Sequence, residues 1–148
     1  DPIKRARKRA WTDFVPDFSK GLSAAYRRET VAEMEAGRPD AEKALKKLED
    51  AIKAERGNDG PYFNGDTLCL VDAAYAPFFQ RFMIAEERLN TGLLDGFPLV
   101  KAWCKALLAS ELVTGSVADS FVPEFKTSMK RYGYHIGNLF EQEVVAAE

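Results

Sequence analysis

The chain has 148 residues, enough for one domain that buries about two-thirds of the surface its unfolded form exposes. Its composition, 46% hydrophobic and 30% charged, is that of an ordinary globular domain. A net charge of −2 argues against a dedicated nucleic-acid binder, which needs a basic surplus to neutralise phosphates. No apolar run approaches the ~18 residues of a membrane-spanning helix, and no signal-peptide pattern is present. The two cysteines, Cys69 and Cys104, have no metal-like spacing, and their apolar context favours reduced thiols and a cytoplasmic setting.

Asp1 and Pro2 read as a helix start, an N-cap followed by the residue that tolerates a missing N–H. Ile3, Ala6, Ala10, Phe14 and Phe18 recur at helical spacing, with Trp11, Val15, Leu22, Ala25 and Tyr26 alongside. The pattern predicts a long amphipathic helix, kinked near Pro16 and eased at Gly21. The run Lys4, Arg5, Arg7, Lys8 and Arg9 reads as a solvated or dimer-facing rim in preference to a nucleic-acid patch, given the acidic total.

A second helix is expected to start at Arg38-Pro39-Asp40, with Ala41, Ala44, Leu45, Leu48, Ala51 and Ile52 inward. Glu42–Lys46 and Glu49–Lys53 are set for i, i+4 ion pairs on its outer face. Gly57 to Pro61 then forms a loop. From Tyr62 to Arg81 the chain turns on Asn64 and Gly65 and enters a helix starting near Cys69. Leu70, Val71, Ala73, Ala74, Tyr75, Ala76, Phe78 and Phe79 predict a central helix buried all round. Asp72 stands where an N3 carboxylate closes a capping box with Cys69 as N-cap, although a thiol is a poor acceptor. Phe97-Pro98 opens a further helix with Trp103, Cys104 and Leu107 inward, and Val113 to Ser120 reads as a connection. Phe121, Phe125 and Met129 mark one stripe of a last helix that Tyr132-Gly133-Tyr134 breaks. The residues after Phe140 read as a frayed tail, 141–148. The fold class is all-α.

The residues themselves offer no nucleophile–base constellation. His135 is the sole histidine and lies beyond the Phe121 helix, and no group of ligands suits a metal. Asp72 is open to two readings, a carboxylate in a dry site or a cap; position and neighbours favour the cap. Cys69 has a matching pair of readings, a thiol activated at a helix N-terminus or a structural cap. Arg81 interrupts an apolar helix, so its guanidinium needs a partner. That partner is either an acid on a neighbouring helix or a ligand.

Gly65, Asp66, Cys69 and Asp72 resemble the Gly-Asp/Asn-x-x-Ser/Thr-x-x-Asp motif that opens the sixth helix of cytosolic glutathione transferases, with Cys in place of Ser or Thr. Asp1-Pro2 and Phe97-Pro98…Trp103 are similar to that family's fourth and seventh helices. Pro77-Phe78-Phe79-Gln80-Arg81 looks like the Pro-Trp-Phe-Glu-Arg of omega-class members. The resemblance covers residues 1–140 as the C-terminal helical domain, with an N-terminal thioredoxin-like domain absent from this chain. It implies glutathione as substrate, bound mainly by that other domain, and a homodimeric detoxification enzyme that conjugates glutathione or performs thiol transfer. It further implies that this chain holds no catalytic residue but supplies the wall for a small electrophilic or disulfide co-substrate. Trp11, Tyr26, Phe78, Arg81, Phe121 and Phe125 are the expected lining, though aromatic residues at helical spacing also suit a core. The same fold also serves as a non-catalytic interaction module. A cavity filled by its own side chains would favour that alternative.

Overall fold

The computed structural model describes residues 1–148 as eight α-helices and one 3-10 turn, with no strand. The first long helix is two. Helix α1 (Pro2–Asp13) ends at Phe14, and α2 (Val15–Ala24) restarts with Pro16 in its first turn, where the absent N–H costs nothing. Asp1 caps α1 through its carboxylate, which accepts the Ile3 N–H at 2.9 Å. Gly21 does not interrupt α2. It lies inside the helix, where an added Cβ would be 3.0 Å from the Asp40 carbonyl oxygen.

Helix α3 runs Val31–Glu55, beginning well before the expected Arg38. Thr30 and Glu33 form a full capping box: the Glu33 N–H donates to Thr30 Oγ1 and the Thr30 N–H to Glu33 Oε2, each at 3.1 Å. This start outweighs Pro39, which sits inside the helix and removes only one backbone donor. The expected ion pairs on α3 also differ. Glu42 takes Arg38 at 2.8 Å, and Lys46 takes Asp50 at 2.6 Å. Glu49 instead accepts the N–H groups of Leu99 and Val100, at 2.9 and 2.8 Å. It caps helix α5 (Pro98–Ala109), whose own N-cap residue, Phe97, has no side chain to do so. Two converging backbone donors offer a carboxylate more than a solvated ammonium does.

Helix α4 (Leu70–Leu89) is the centre of the bundle, but it is not buried all round. Val71, Tyr75, Phe79 and Phe82 are fully enclosed, whereas Ala73 is exposed and Leu70 is 79% exposed. Helix α4 ends at Asn90 in the left-handed conformation, and a 3-10 turn, Leu93–Gly96, leads to α5. The stretch expected as a plain connection contains the short α6 (Glu111–Thr114). Phe121 opens α7 (Phe121–Arg131), as its stripe predicts, and Phe125 and Met129 are buried. It is not the last helix. After Gly133, in positive φ, α8 (His135–Ala147) packs back on α7. Residues 141–147 therefore continue a helix, where a frayed tail was expected; Phe140 and Ile136 anchor it by burial.

The core joins these elements in one cluster around Phe18, Tyr75, Phe79 and Trp103. Phe63, in the loop before α4, packs with tilted rings at 5.5 Å from Trp103, which lies at 5.5 Å from Tyr75 and 5.4 Å from Phe79. Helices α2 and α3 meet at backbone distance. A Cβ on Gly37 would fall 1.9 Å from the Ala24 carbonyl oxygen, so only glycine fits there.

Candidate ligand cavity between α2 and α4

Asp72 is wholly buried, and its hydrogen bonds account for it as a structural group. Its Oδ1 accepts the Phe63 N–H at 2.9 Å and the Trp103 Nε1–H at 2.7 Å, while Oδ2 accepts the Cys69 N–H at 2.8 Å. The carboxylate half of the capping box is thus well made. The thiol half is the weak one, since sulfur accepts poorly. Cys69 Sγ does receive a donor, Asn64 Nδ2, at 3.2 Å. Burial is the main cause that pushes the Cys69 thiol above its ordinary value, with the Asp72 charge adding to it, so the thiol holds its proton. Cys104 is buried and its thiol is pushed up to about 12 by desolvation. His135 donates its backbone N–H to the Arg28 carbonyl at 2.8 Å, fixing the start of α8 against the end of α2.

Three of the six expected lining residues meet at one cavity of about 330 Å³ between the end of α2 and the middle of α4. Tyr26 comes from just beyond α2, and Phe78 and Arg81 come from α4. Ser19, Leu22, Ser23, Arg27 and Pro77 complete the wall. Phe121 and Phe125 lie behind it. The Arg81 guanidinium sits 5.0 Å over the Phe121 ring, and that of Arg27 sits 5.9 Å over Phe125 and 5.6 Å over Tyr26. The two phenylalanines stack on each other at 6.4 Å, so they form a platform on which both arginines rest.

Trp11 is elsewhere. Its ring packs at 5.9 Å on Phe14 and 6.0 Å on Phe63, and its carbonyl accepts the Tyr75 hydroxyl at 2.6 Å, tying α1 to α4. A tryptophan at helical spacing serves here as packing, as such residues usually do. Arg81 makes no ion pair to a neighbouring helix; it donates to the Pro77 carbonyl at 2.9 Å, one turn back on α4. Arg27 carries no signal in the sequence, because it follows the end of a helix and lies on no periodic stripe. Only the approach of Phe125, on α7, to the stretch beyond α2 reveals it. Ser19 and Ser23, inside α2, are small polar residues that carry no signal of their own in the sequence.

A larger cavity, about 560 Å³, opens between the end of α4 and α5, with Met83, Cys104 and Leu108 in its wall. Part of its polar wall is already engaged: Lys101 pairs with Asp95 at 2.6 Å, and Glu86 accepts the Thr91 hydroxyl at 2.6 Å. The smaller cavity gathers three of the expected residues and two arginines with no acid on its wall, and this makes it the candidate site. Burial raises the Tyr26 hydroxyl above its ordinary value, against the opposing pull of Arg27 and Arg81, so it remains a donor.

An all-helical domain with an Asp-capped central helix and an aromatic cavity beside it describes a compact helical bundle. A profile for "Glutathione S-transferase, C-terminal domain" matches residues 31–106. The chain is similar to glutathione S-transferase U19 of Arabidopsis thaliana, 34% identical over 88% of this chain and 58% of that protein. It is also similar to glutathione S-transferase U22 of the same plant, 32% identical over 81% of this chain and 53% of the relative. A probable glutathione S-transferase, parC, of Nicotiana tabacum is 32% identical over 80% of this chain and 52% of the relative. The chain belongs to the glutathione S-transferase family, as its C-terminal domain. It spans about half the length of the curated relatives it matches. None of these relatives bears an omega name, so the omega-like character read from Pro77 to Arg81 gains no support from them.

Proposed function

We propose that this chain forms the co-substrate wall of a glutathione transferase, in which a preceding thioredoxin-like domain binds glutathione and activates its thiol. The observation that carries this reading is the cavity itself. Tyr26, from beyond α2, converges with Phe78 and Arg81 of α4 on an open space of about 330 Å³. A cavity with apolar walls and a few convergent polar groups suits a small ligand. The non-catalytic alternative calls for a cavity filled by its own side chains, and this one is open.

In this role the chain's residues bind and orient. Phe78, Leu22 and Pro77 hold the apolar body of an electrophile, while Tyr26 and Arg81 present donors to its polar end. The bond-making group belongs to the other domain. No cluster of residues here suits a metal, and neither cysteine is poised as a thiolate. Helix α1 supports the expected homodimer: it has no buried residue and presents Ile3 among its basic side chains. No helix is long and apolar enough to cross a membrane, and the two free thiols suit a reducing compartment such as the cytoplasm.

The test is glutathione conjugation of 1-chloro-2,4-dinitrobenzene by the full protein, with reduction of a small mixed disulfide measured beside it. Conjugation is expected. Disulfide reduction in its place would return the omega-type thiol transferase, and neither activity would leave the interaction module.

A further inference from the structure

We propose that the cavity between α2 and α4 selects ligands bearing a carboxylate, held by Arg27 and Arg81; this rests on the reading of that cavity as the co-substrate wall. Both guanidiniums line the same space, and no acidic side chain does. Each ion pair in the molecule lies elsewhere and involves neither arginine. The Nε of Arg27 is fully enclosed and has no acceptor. That atom is out of a ligand's reach, and it is the remaining N–H donors of the two guanidiniums on the cavity wall whose fork geometry a carboxylate matches.

The arginines are also held ready. Phe121 lies under Arg81, and Phe125 with Tyr26 lies under Arg27, so stacking fixes both planes before any ligand arrives. Arg81 spends one N–H on the Pro77 carbonyl and keeps the others. Ser19, Ser23 and Tyr26 add hydroxyl donors around the same space. Leu22, Pro77 and Phe78 make the remaining wall apolar. The complementary ligand is a small aromatic or aliphatic body ending in a carboxylate. Glutathione has carboxylates of its own, and the experiment separates the two sources.

Calorimetric titration of the chain with 2-naphthoate, 2-naphthamide and glutathione reads binding without chemistry. The naphthoate is expected to bind about tenfold or more tightly than its amide, the scale of a charge-assisted contact. Arg27→Met or Arg81→Met removes that preference, and Arg27→Lys restores part of it. Equal affinity for acid and amide overturns the proposal, as does a preference that survives both methionine variants. Glutathione binding that depends on both arginines, with no naphthoate binding, assigns them to glutathione and also overturns it.

A second arm uses turnover by the full protein, comparing 4-chloro-3-nitrobenzoate with 1-chloro-2,4-dinitrobenzene. In each, the glutathione thiolate attacks the chlorine-bearing carbon. A C–S bond forms, the C–Cl bond breaks, chloride leaves with the electron pair, and the thiol proton passes to solvent. The ratio of kcat/KM values for acid over neutral substrate is expected to fall about tenfold in Arg27→Met. An unchanged ratio overturns the proposal while leaving the transferase reading intact. No turnover of either substrate, with the naphthoate preference retained, upholds the anion site and sinks the transferase reading.

Discussion

Asp72 shows how much one side chain carries in this domain. Its two oxygens meet donors from Phe63, Cys69 and Trp103, and truncation leaves all three without that acceptor, those of Phe63 and Trp103 fully buried. Asp72→Ala is expected to destabilise the fold by about 3 kcal/mol or more, measured by urea unfolding. The sequence made this residue legible as a cap, through its spacing from Cys69. It did not disclose the bond to Trp103, which depends on how α5 crosses α4. Cys104 gives a second prediction, in pH. Its buried thiol is pushed up to about 12 from an ordinary 9.0, so the folded chain keeps a proton that the unfolded chain releases. Stability is then full below about pH 9 and falls as the pH rises towards 12, by at most about 1.4 kcal/mol per unit. Cys104→Ala is expected to flatten that fall in denaturation curves recorded at pH 8 and pH 10.5. Some slope persists, because burial raises Tyr26 and Tyr75 in the same direction.

Elements here are fixed as much by contacts between helices as by their own periodicity. Gly37 allows α3 to touch the Ala24 carbonyl, and the residues just beyond Ala24 are the cavity's Tyr26 and Arg27. Gly37→Ala forces the helices apart, with an expected loss of about 1–3 kcal/mol in thermal unfolding and weaker ligand binding at the cavity. Glu49 acts between elements in the same way, by capping α5 from α3. Glu49→Ala is expected to cost about 1 kcal/mol in urea unfolding, the size of a lost cap. The stripes of α4, α5 and α7 were readable because apolar residues recur along them. The start of α3 was also written in the chain, as Thr30-x-x-Glu33, but Pro39 offered a competing start and drew the boundary there. No local signal marks Glu49 as a cap, since its partners lie some fifty residues away in sequence.

At the scale of the molecule, α1 is basic, has no fully buried residue and contributes none to the wall of the cavity. If α1 contributes to a homodimer, Arg5→Glu with Arg9→Glu is expected to raise the dissociation constant by about tenfold or more, measured by light scattering of the full protein. An unchanged mass would place the interface elsewhere. The fold class and the family were legible from spaced motifs, because those motifs are the caps and core turns that any such bundle needs. The cavity proposed as the ligand wall was legible in part: Tyr26, Phe78 and Arg81 meet there, whereas Trp11 packs against Phe14 and Phe63, and Arg27 emerged from the tertiary arrangement alone. The same arrangement has a consequence for motion. The loop through Phe63 contains two of the residues that a polar, glycine-bearing turn needs to open by itself, Asn64 and Gly65. Its amide is bonded to the carboxylate that also holds the indole of Trp103. Local opening of that loop therefore breaks a bond in the middle of the bundle, so the Phe63 amide should exchange with deuterium much more slowly than the loop's exposed amides, as the core around Trp103 opens.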